Sequence, residues 1–351
     1  MTVIGVPLEI KQNERRVGMT PDGVKRLTSM GVNVVVSSGA GVYAGFSDDE
    51  YVSAGATIEC MICNVYEQSD IIVKVKEPQP DEVDLITSKH TLFCYLHLAP
   101  NKRLTQALLN KRCKAIAYET IVVDGKTPLL APMSDVAGRV AVQRGATFMS
   151  KLLSGVTGVP RAHVMVVGAG IVGRAATETA IGMGARVTVV DRSVAVLSAF
   201  ERSGVMCDTL HTGTITGDML RDVDMLVGAV HVPGHKATCV ATIEAISHMK
   251  PGSVVADVSI DQGGCFEGSE PTTHDNPTYT LGSAPGVLYY CVPNLPAAVP
   301  HTSTRALCNA TLPFVEELVA PGRVFEVKYE QSVNVCNGTI CNDAVREAFY
   351  R

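Results

Sequence analysis

The reading of this chain turns on the stretch His163-Val164-Met165-Val166-Val167-Gly168-Ala169-Gly170-Ile171-Val172-Gly173. A β-branched run with the pattern of a buried strand leads straight into a G-x-G-x-x-G turn. Behind the turn Val172, Ala176, Ala180 and Met183 share one helical face, Gly184 ends the helix, and the strand Val187 to Val190 delivers Asp191, 18 positions beyond Gly173. A glycine pattern alone is weak, but a strand before it, a helix after it and an acid at this distance predict a dinucleotide-binding unit. Gly168 permits the tight turn, Gly170 lets a pyrophosphate approach the backbone, and Gly173 lets helix and strand pack closely. The unpaired N–H groups opening the helix point partial positive charge at the phosphates. Asp191 is suited to accept hydrogen bonds from both ribose hydroxyls and to repel a 2′-phosphate, which favours NAD over NADP, although Arg192 beside it weakens that preference slightly.

Outward from this motif, short apolar runs alternate with helical segments, the signature of α/β architecture. Thr20-Pro21 opens a helix that Gly31 closes, Asn33 to Val36 is a strand, and Ser47-Asp48-Asp49-Glu50 has the spacing of a capping box before Gly55. Strands are expected at Ile71 to Val75, Thr91 to Leu96 and Lys114 to Tyr118, so the first ~120 residues form a parallel-type sheet of their own. Thr127-Pro128-Leu129-Leu130-Ala131-Pro132 separates this half from a helix starting near Ser134, and another helix, Ser303 to Val319, follows the second strand and helix series, in which Val254 to Ile260 is expected as a strand. The expected fold is therefore α/β with two doubly wound parallel-sheet domains, the second a Rossmann domain inserted into the first. Residues 1–128 and 301–351 form a substrate and catalytic domain around a dinucleotide domain at 129–300.

Composition narrows the partners. The 351 residues are 46% hydrophobic and 19% charged, with 30 basic against 35 acidic side chains and a net charge of −5, which excludes disorder and coiled coil and disfavours a nucleic-acid partner. No apolar stretch approaches the ~20 residues that cross a bilayer, and the N-terminus lacks a signal peptide's features, so a cytoplasmic location is expected. Eleven cysteines, an odd number, read as reduced core hydrophobes. Cys60-Met61-Ile62-Cys63 lacks a second metal-binding pair and is not expected to sit between a strand and a helix, so it reads as structural.

Three polar residues stand near the ends of apolar runs, where open parallel sheets bind ligands. Lys76 closes Ile71-Ile72-Val73-Lys74-Val75, His97 closes Thr91 to Leu96, and Arg16 follows the first strand in Glu14-Arg15-Arg16. A surface lysine, a satisfied histidine and a solvated charge run are the competing readings, and position alone does not decide between them.

These residues also carry a resemblance. Asn13-Glu14-Arg15-Arg16-Val17, Lys74-Val75-Lys76-Glu77-Pro78, Tyr95-Leu96-His97-Leu98-Ala99, Ala131-Pro132-Met133-Ser134, Lys250-Pro251-Gly252-Ser253-Val254, Asp261-Gln262-Gly263-Gly264 and Val299-Pro300 with Thr302-Ser303-Thr304 resemble, in order, the L-alanine dehydrogenase family. The resemblance implies NAD-linked reversible deamination of L-alanine to pyruvate and ammonium by a homohexamer. It implies that Arg16 and Lys76 hold the substrate, that His97 is the catalytic acid/base with Asp261 as its partner, and that Ser134, Asp191, Val230 and Leu295 contact the cofactor beside Gly168, Gly170 and Gly173. No metal is implied. A transhydrogenase alpha-type subunit shares the expected fold but holds no small substrate, which Lys76 and His97 in their motifs argue against. Another amino-acid dehydrogenase of the superfamily, a saccharopine-forming reductase and a non-catalytic protein that kept the fold are the remaining alternatives.

Three departures from the family pattern stand out. The segment between Ser134 and Val164 and the segment after Asn337-Gly338 look short, which bears on subunit packing. His231 and His235 replace an aliphatic and a small residue, and His231 either lies near the cofactor or, as its loop position favours, points outward. Pro293 precedes Asn294 where a small residue is common.

Overall fold

The computed structural model describes every residue except 1, 233–236, 283–285, 321–324, 326, 327 and 351, so His235 lies outside the described residues. The chain divides into two compact units, Met1–Met133 with Val299–Arg351, and Ser134–Ala298.

The first unit is built on β1 (Val3–Val6), β2 (Asn33–Ser37), β3 (Thr57–Glu59), β4 (Ile71–Val73), β5 (Thr91–Cys94) and β6 (Lys114–Ala117). They lie in the order β6-β5-β4-β1-β2-β3 and all pair in parallel, with Ile4 opposite Val34 on one side and Ile71 on the other. Helices cover a parallel sheet on both faces, and the strands are accordingly continuous apolar runs such as Val34-Val35-Val36, all buried. The intervening helices start where the sequence supplies caps. In α1 (Pro21–Ser29) the Thr20 hydroxyl accepts the Gly23 N–H at 3.2 Å with Pro21 at the first position. In α2 (Asp48–Ser53) Ser47 and Glu50 complete the reciprocal capping box.

The second unit carries β7 (His163–Val167), β8 (Arg186–Asp191), β9 (Asp208–His211), β10 (Met225–Gly228), β11 (Val254–Asp257), β12 (Thr278–Leu281) and β13 (Val287–Tyr290). Their order is β12-β13-β11-β10-β7-β8-β9, parallel except for the β12–β13 pair. In each unit the first strand is central and the chain winds outward from it both ways, so the order reverses beside β1 and beside β7. A doubly wound sheet binds ligands at that reversal, outside the carboxyl ends of its strands. After the helix Pro300–Val319 the chain adds the hairpin β14 (Val333–Cys336) and β15 (Thr339–Ile340) antiparallel to β6 on the first sheet.

Several expectations are corrected. The helix expected near Ser134 spans Ala131–Phe148, because Pro132 at its second position removes an N–H that has no intrahelical acceptor there. Three strands stop short of their apolar runs, at Val73, Cys94 and Asp257 rather than Val75, Leu96 and Ile260. The cause is the same each time: a carboxylate takes backbone N–H groups that would have continued the ladder. Glu9 accepts from Val75 at 2.6 Å, Glu119 from His97 at 2.7 Å, and Asp257 from Ser259 at 3.0 Å. The cysteines are free, but only Cys94, Cys113, Cys265, Cys291 and Cys308 are buried. Cys60-Met61-Ile62-Cys63 does lie between a strand and a helix, directly joining β3 to Ile62–Gln68, with Cys60 exposed and Met61 as the cap residue.

Candidate active site

In the first unit, Arg16, Lys76 and His97 all follow carboxyl ends of strands, those of β1, β4 and β5. Arg16 is 2% exposed. Its Nε and Nη2 meet the two carboxylate oxygens of Glu14 at 2.7 and 2.5 Å, and its Nη1 lies 3.1 Å from the Met133 sulfur. The Nε edge is thus engaged by Glu14, and a bidentate grip on a second carboxylate has to use the Nη1 and Nη2 edge. Glu14 fixes the guanidinium plane, a role that sequence reading did not assign.

Lys74 and Lys76 have opposite fates. The ammonium of Lys74 is buried between Glu82 at 2.6 Å and Glu9 at 3.3 Å, and Glu82 also accepts the Tyr66 hydroxyl at 3.1 Å. Burial works against that charge, but the two carboxylates outweigh it and hold the Lys74 pKa above its usual range. Among the described residues no carboxylate forms an ion pair with Lys76. Burial, followed by the positive charge of Arg16, pushes its pKa below the usual lysine value, against the pull of Glu14 and Glu77. A buried ammonium that also feels a second positive charge is stabilised by an anion bound next to it.

His97 sits on a turn with φ +47, a left-handed conformation that non-glycine residues adopt only when held there. The half-buried Glu119 holds it, accepting the N–H groups of His97 at 2.7 Å and Leu96 at 3.3 Å. The imidazole is exposed and lies parallel to the Tyr95 ring, with centroids 6.0 Å apart and planes 8° off parallel. Tyr95 donates its hydroxyl to the Leu129 carbonyl at 2.5 Å, and the charge of Arg16 acts on that phenol. Arg16, Lys76, Tyr95 and His97 therefore gather at one edge of one sheet.

In the second unit the glycine turn is dictated by contact. Gly168 has φ +103, and a Cβ there would fall 2.4 Å from the Ala229 carbonyl oxygen. A Cβ on Gly173 would fall 1.7 Å from the Gly168 oxygen, so the helix Ile171–Gly182 packs against the turn only with glycine there. Gly170 differs, because nothing lies within 4 Å of its missing Cβ. Packing explains two of these glycines, and the third leaves bare backbone at a helix N-terminus, which fits a pyrophosphate. Asp191 ends β8 and accepts the N–H groups of Ala169 and Ser193, each at 2.8 Å, which locks its carboxylate beside the glycine turn.

Three of the remaining candidates, Val230, Asp261 and Leu295, follow carboxyl ends of strands in the same sheet. Val230 follows β10, and its carbonyl accepts the Ser259 hydroxyl at 2.8 Å. Asp261 is exposed on a 3-10 turn, Val258–Gln262, and its Oδ2 lies 3.5 Å from the N–H of Asn294, itself left-handed at φ +53. Leu295 follows in the buried turn Leu295–Ala298, while Ser134 is half-buried in the helix that enters this unit. His231 is exposed, and nothing in the structure explains Pro293. Among the described residues no group of three His, Cys, Asp or Glu side chains is placed to hold a metal, and no helix is long and apolar enough to cross a membrane.

Comparison with known proteins fits this arrangement. The alanine dehydrogenase/PNT N-terminal domain model matches residues 5–137, and the C-terminal domain model matches residues 136–343. The chain is 46% identical to an alanine dehydrogenase of Halomonas elongata, covering 99% of this chain and 96% of that one. It is 43% identical to that of Bacillus subtilis over 98% and 93% of the two chains. A solved L-alanine dehydrogenase superposes with a TM-score of 0.94 at 40% identity over 99% of both chains. A transhydrogenase from Sinorhizobium meliloti, at 24% identity and a TM-score of 0.87 over 97% of this chain and 99% of that one, shares the fold. With both domain models matched in order and relatives this similar along its whole length, the chain belongs to the alanine dehydrogenase/PNT family.

Proposed function

We propose that this protein is an alanine dehydrogenase that converts L-alanine reversibly to pyruvate and ammonium with NAD. The observation that carries the reading is the pair of cations, Arg16 and Lys76, that follow the two strands at the reversal of the first sheet, with His97 following the next strand. Such a pair suits a small carboxylate, which hydride exchange between two nicotinamides does not require.

In this reading Arg16, its plane set by Glu14, holds the substrate carboxylate and limits the orientations available to Cα. Lys76 faces the oxygen that becomes the carbonyl of pyruvate and stabilises negative charge there as water adds to the imine. His97 takes a proton from that water and returns one to the departing nitrogen, a task suited to an imidazole near neutral pH. Asp261 supplies a second acidic group for the reaction. In the second unit, Gly170 and the helix behind it bind the pyrophosphate, Asp191 takes the ribose hydroxyls, and Ser134, Val230 and Leu295 complete the cofactor contacts. NAD, when bound, supplies the hydride acceptor. The family resemblance supports a homohexamer, and the net charge of −5 with only short basic runs supports a small-molecule partner; a cytoplasmic location and a reaction without a metal complete the reading.

The depressed Lys76 pKa makes the carboxylate subsite testable. An anion raises that pKa again, so pyruvate binding takes up a proton in the window between the free and bound values and weakens as pH rises through the free value, below the ordinary lysine range. Calorimetric titration of the NADH complex with pyruvate, in buffers of different ionisation enthalpy, reads that uptake. It should vanish in Lys76→Arg. Uptake that persists in Lys76→Arg, or pyruvate affinity independent of both cations, would remove the basis for the subsite.

A further inference from the structure

We propose that Asp257 is a positioning residue that holds the turn bearing Asp261 in its working geometry, an inference that rests on the reading of Asp261 as catalytic. Asp257 is the last residue of β11 and is 2% exposed. A carboxylate in that position is costly unless many donors surround it. Here they all come from the loop that it begins. Oδ1 accepts the Ser259 N–H at 3.0 Å and faces the Cys265 thiol at 3.5 Å. Oδ2 accepts the N–H groups of Cys265 at 2.8 Å and Phe266 at 3.3 Å, and the Ser269 hydroxyl at 2.7 Å. The two ends of residues 258–269 are thereby drawn onto one side chain, and Asp261 is carried on the arc between them.

The arc is tied down elsewhere as well. Ser259 donates to the Val230 carbonyl at 2.8 Å, the Gln262 side chain meets the Val232 N–H and carbonyl at 3.3 and 3.5 Å, and the Gln262 carbonyl accepts the Ala237 N–H at 3.0 Å. Space around the clamp is also used up: a Cβ on Gly228 or on Gly264 would lie 3.0 Å from a carboxylate oxygen of Asp257. Asp261, by contrast, has a carboxylate that reaches solvent, with one long contact to Asn294. An exposed acid acts in catalysis only if its backbone is fixed, because a displacement near 1 Å costs on the order of a hundredfold. Asparagine in place of Asp257 presents an amide where the loop offers only donors, so the turn must shift.

The test compares Asp257→Asn, Ser269→Ala, Asp261→Asn and the double variant Asp261→Asn/Ser269→Ala, by steady-state turnover of L-alanine and by NADH binding through nicotinamide fluorescence. Asp257→Asn should lower kcat about 10- to 100-fold, and Ser269→Ala about 5- to 10-fold, with NADH affinity held within about threefold. Ser269→Ala removes one donor among five and keeps the test usable if Asp257→Asn does not fold. If the clamp acts through Asp261, Ser269→Ala adds nothing in the Asp261→Asn background, whereas a merely structural role multiplies the two losses. Multiplied losses, or wild-type kcat in Ser269→Ala beside an inactive Asp261→Asn, would overturn the clamp alone. Wild-type kcat in Asp261→Asn would overturn the catalytic reading of Asp261 and the clamp with it.

Discussion

Replacement of His97 by alanine is expected to lower the turnover of L-alanine by about 10²- to 10⁴-fold, the usual contribution of a positioned acid/base, while leaving NADH affinity close to wild type. The two effects separate because His97 belongs to the first unit and the glycine turn and Asp191 to the second. The loss should fall on kcat, since the substrate carboxylate is assigned to Arg16 and Lys76. Glu119 offers a graded companion. Glu119→Gln keeps the bulk but turns part of an acceptor for two N–H groups into a donor, so the left-handed turn at His97 relaxes and turnover falls by less than in His97→Ala. A His97→Ala enzyme within threefold of wild-type turnover would remove His97 from the mechanism.

The second large effect is on stability. Lys74→Met should destabilise the protein by about 3–5 kcal/mol, the cost of removing one member of a buried ionic group, and lower its thermal midpoint by about 10 °C. Lys74, Glu9 and Glu82 are each 2% exposed or less at their side chains, so neither carboxylate has water to replace the ammonium. The sign with pH follows from Glu9. Burial raises its pKa above the usual carboxylate value, partly opposed by Lys74, so its charged form is the one that folding disfavours. Without Lys74 that pKa rises further, and the deficit is largest near neutral pH and shrinks as acid protonates Glu9. The change should also reach the site, because Glu9 holds the N–H groups of Val75 and Lys76. A midpoint within 2 °C of wild type across this pH range would show that the buried trio is not the anchor of this edge.

Glu9, Glu119 and Asp257 also explain which parts of the molecule were legible in the sequence. The glycine turn was readable because strand, turn, helix and acid occur in fixed order within a short stretch and the clash at Gly173 is with Gly168, five positions earlier, although the contact of Gly168 with Ala229 is distant in sequence. The caps at Thr20 and Ser47 were readable for the same reason. Apolar runs located β4, β5 and β11 but overran their ends, since hydrophobicity continues past the point where a carboxylate diverts the backbone. Those diversions put Lys76, His97 and Asp261 on turns rather than strands. Glu9 acts across 66 residues on Val75, a separation that no periodicity reports. An acid inside an apolar run, as in Val-Val-Ala-Asp257-Val-Ser-Ile, is the one local signal available. Thr57–Glu59 escaped notice because it is short and partly exposed, and the hairpin Val333–Ile340 because its pairing with β6 is distant in sequence. Lys74 and Lys76 look equivalent in the sequence, and only the enclosure by Glu9 and Glu82 separates a structural lysine from a candidate ligand.

This edge of the first sheet is proposed to bind a small amino or keto acid, and the second sheet to hold NAD. The most direct measurement is the absorbance of reduced nicotinamide when the purified protein is mixed with NAD and L-alanine at alkaline pH. Steady NADH formation is expected that depends on L-alanine, reverses on addition of pyruvate and ammonium, and is weaker with NADP. No NADH formation with L-alanine, serine or glycine, alongside hydride exchange between two nicotinamides in the absence of any amino acid, would contradict it.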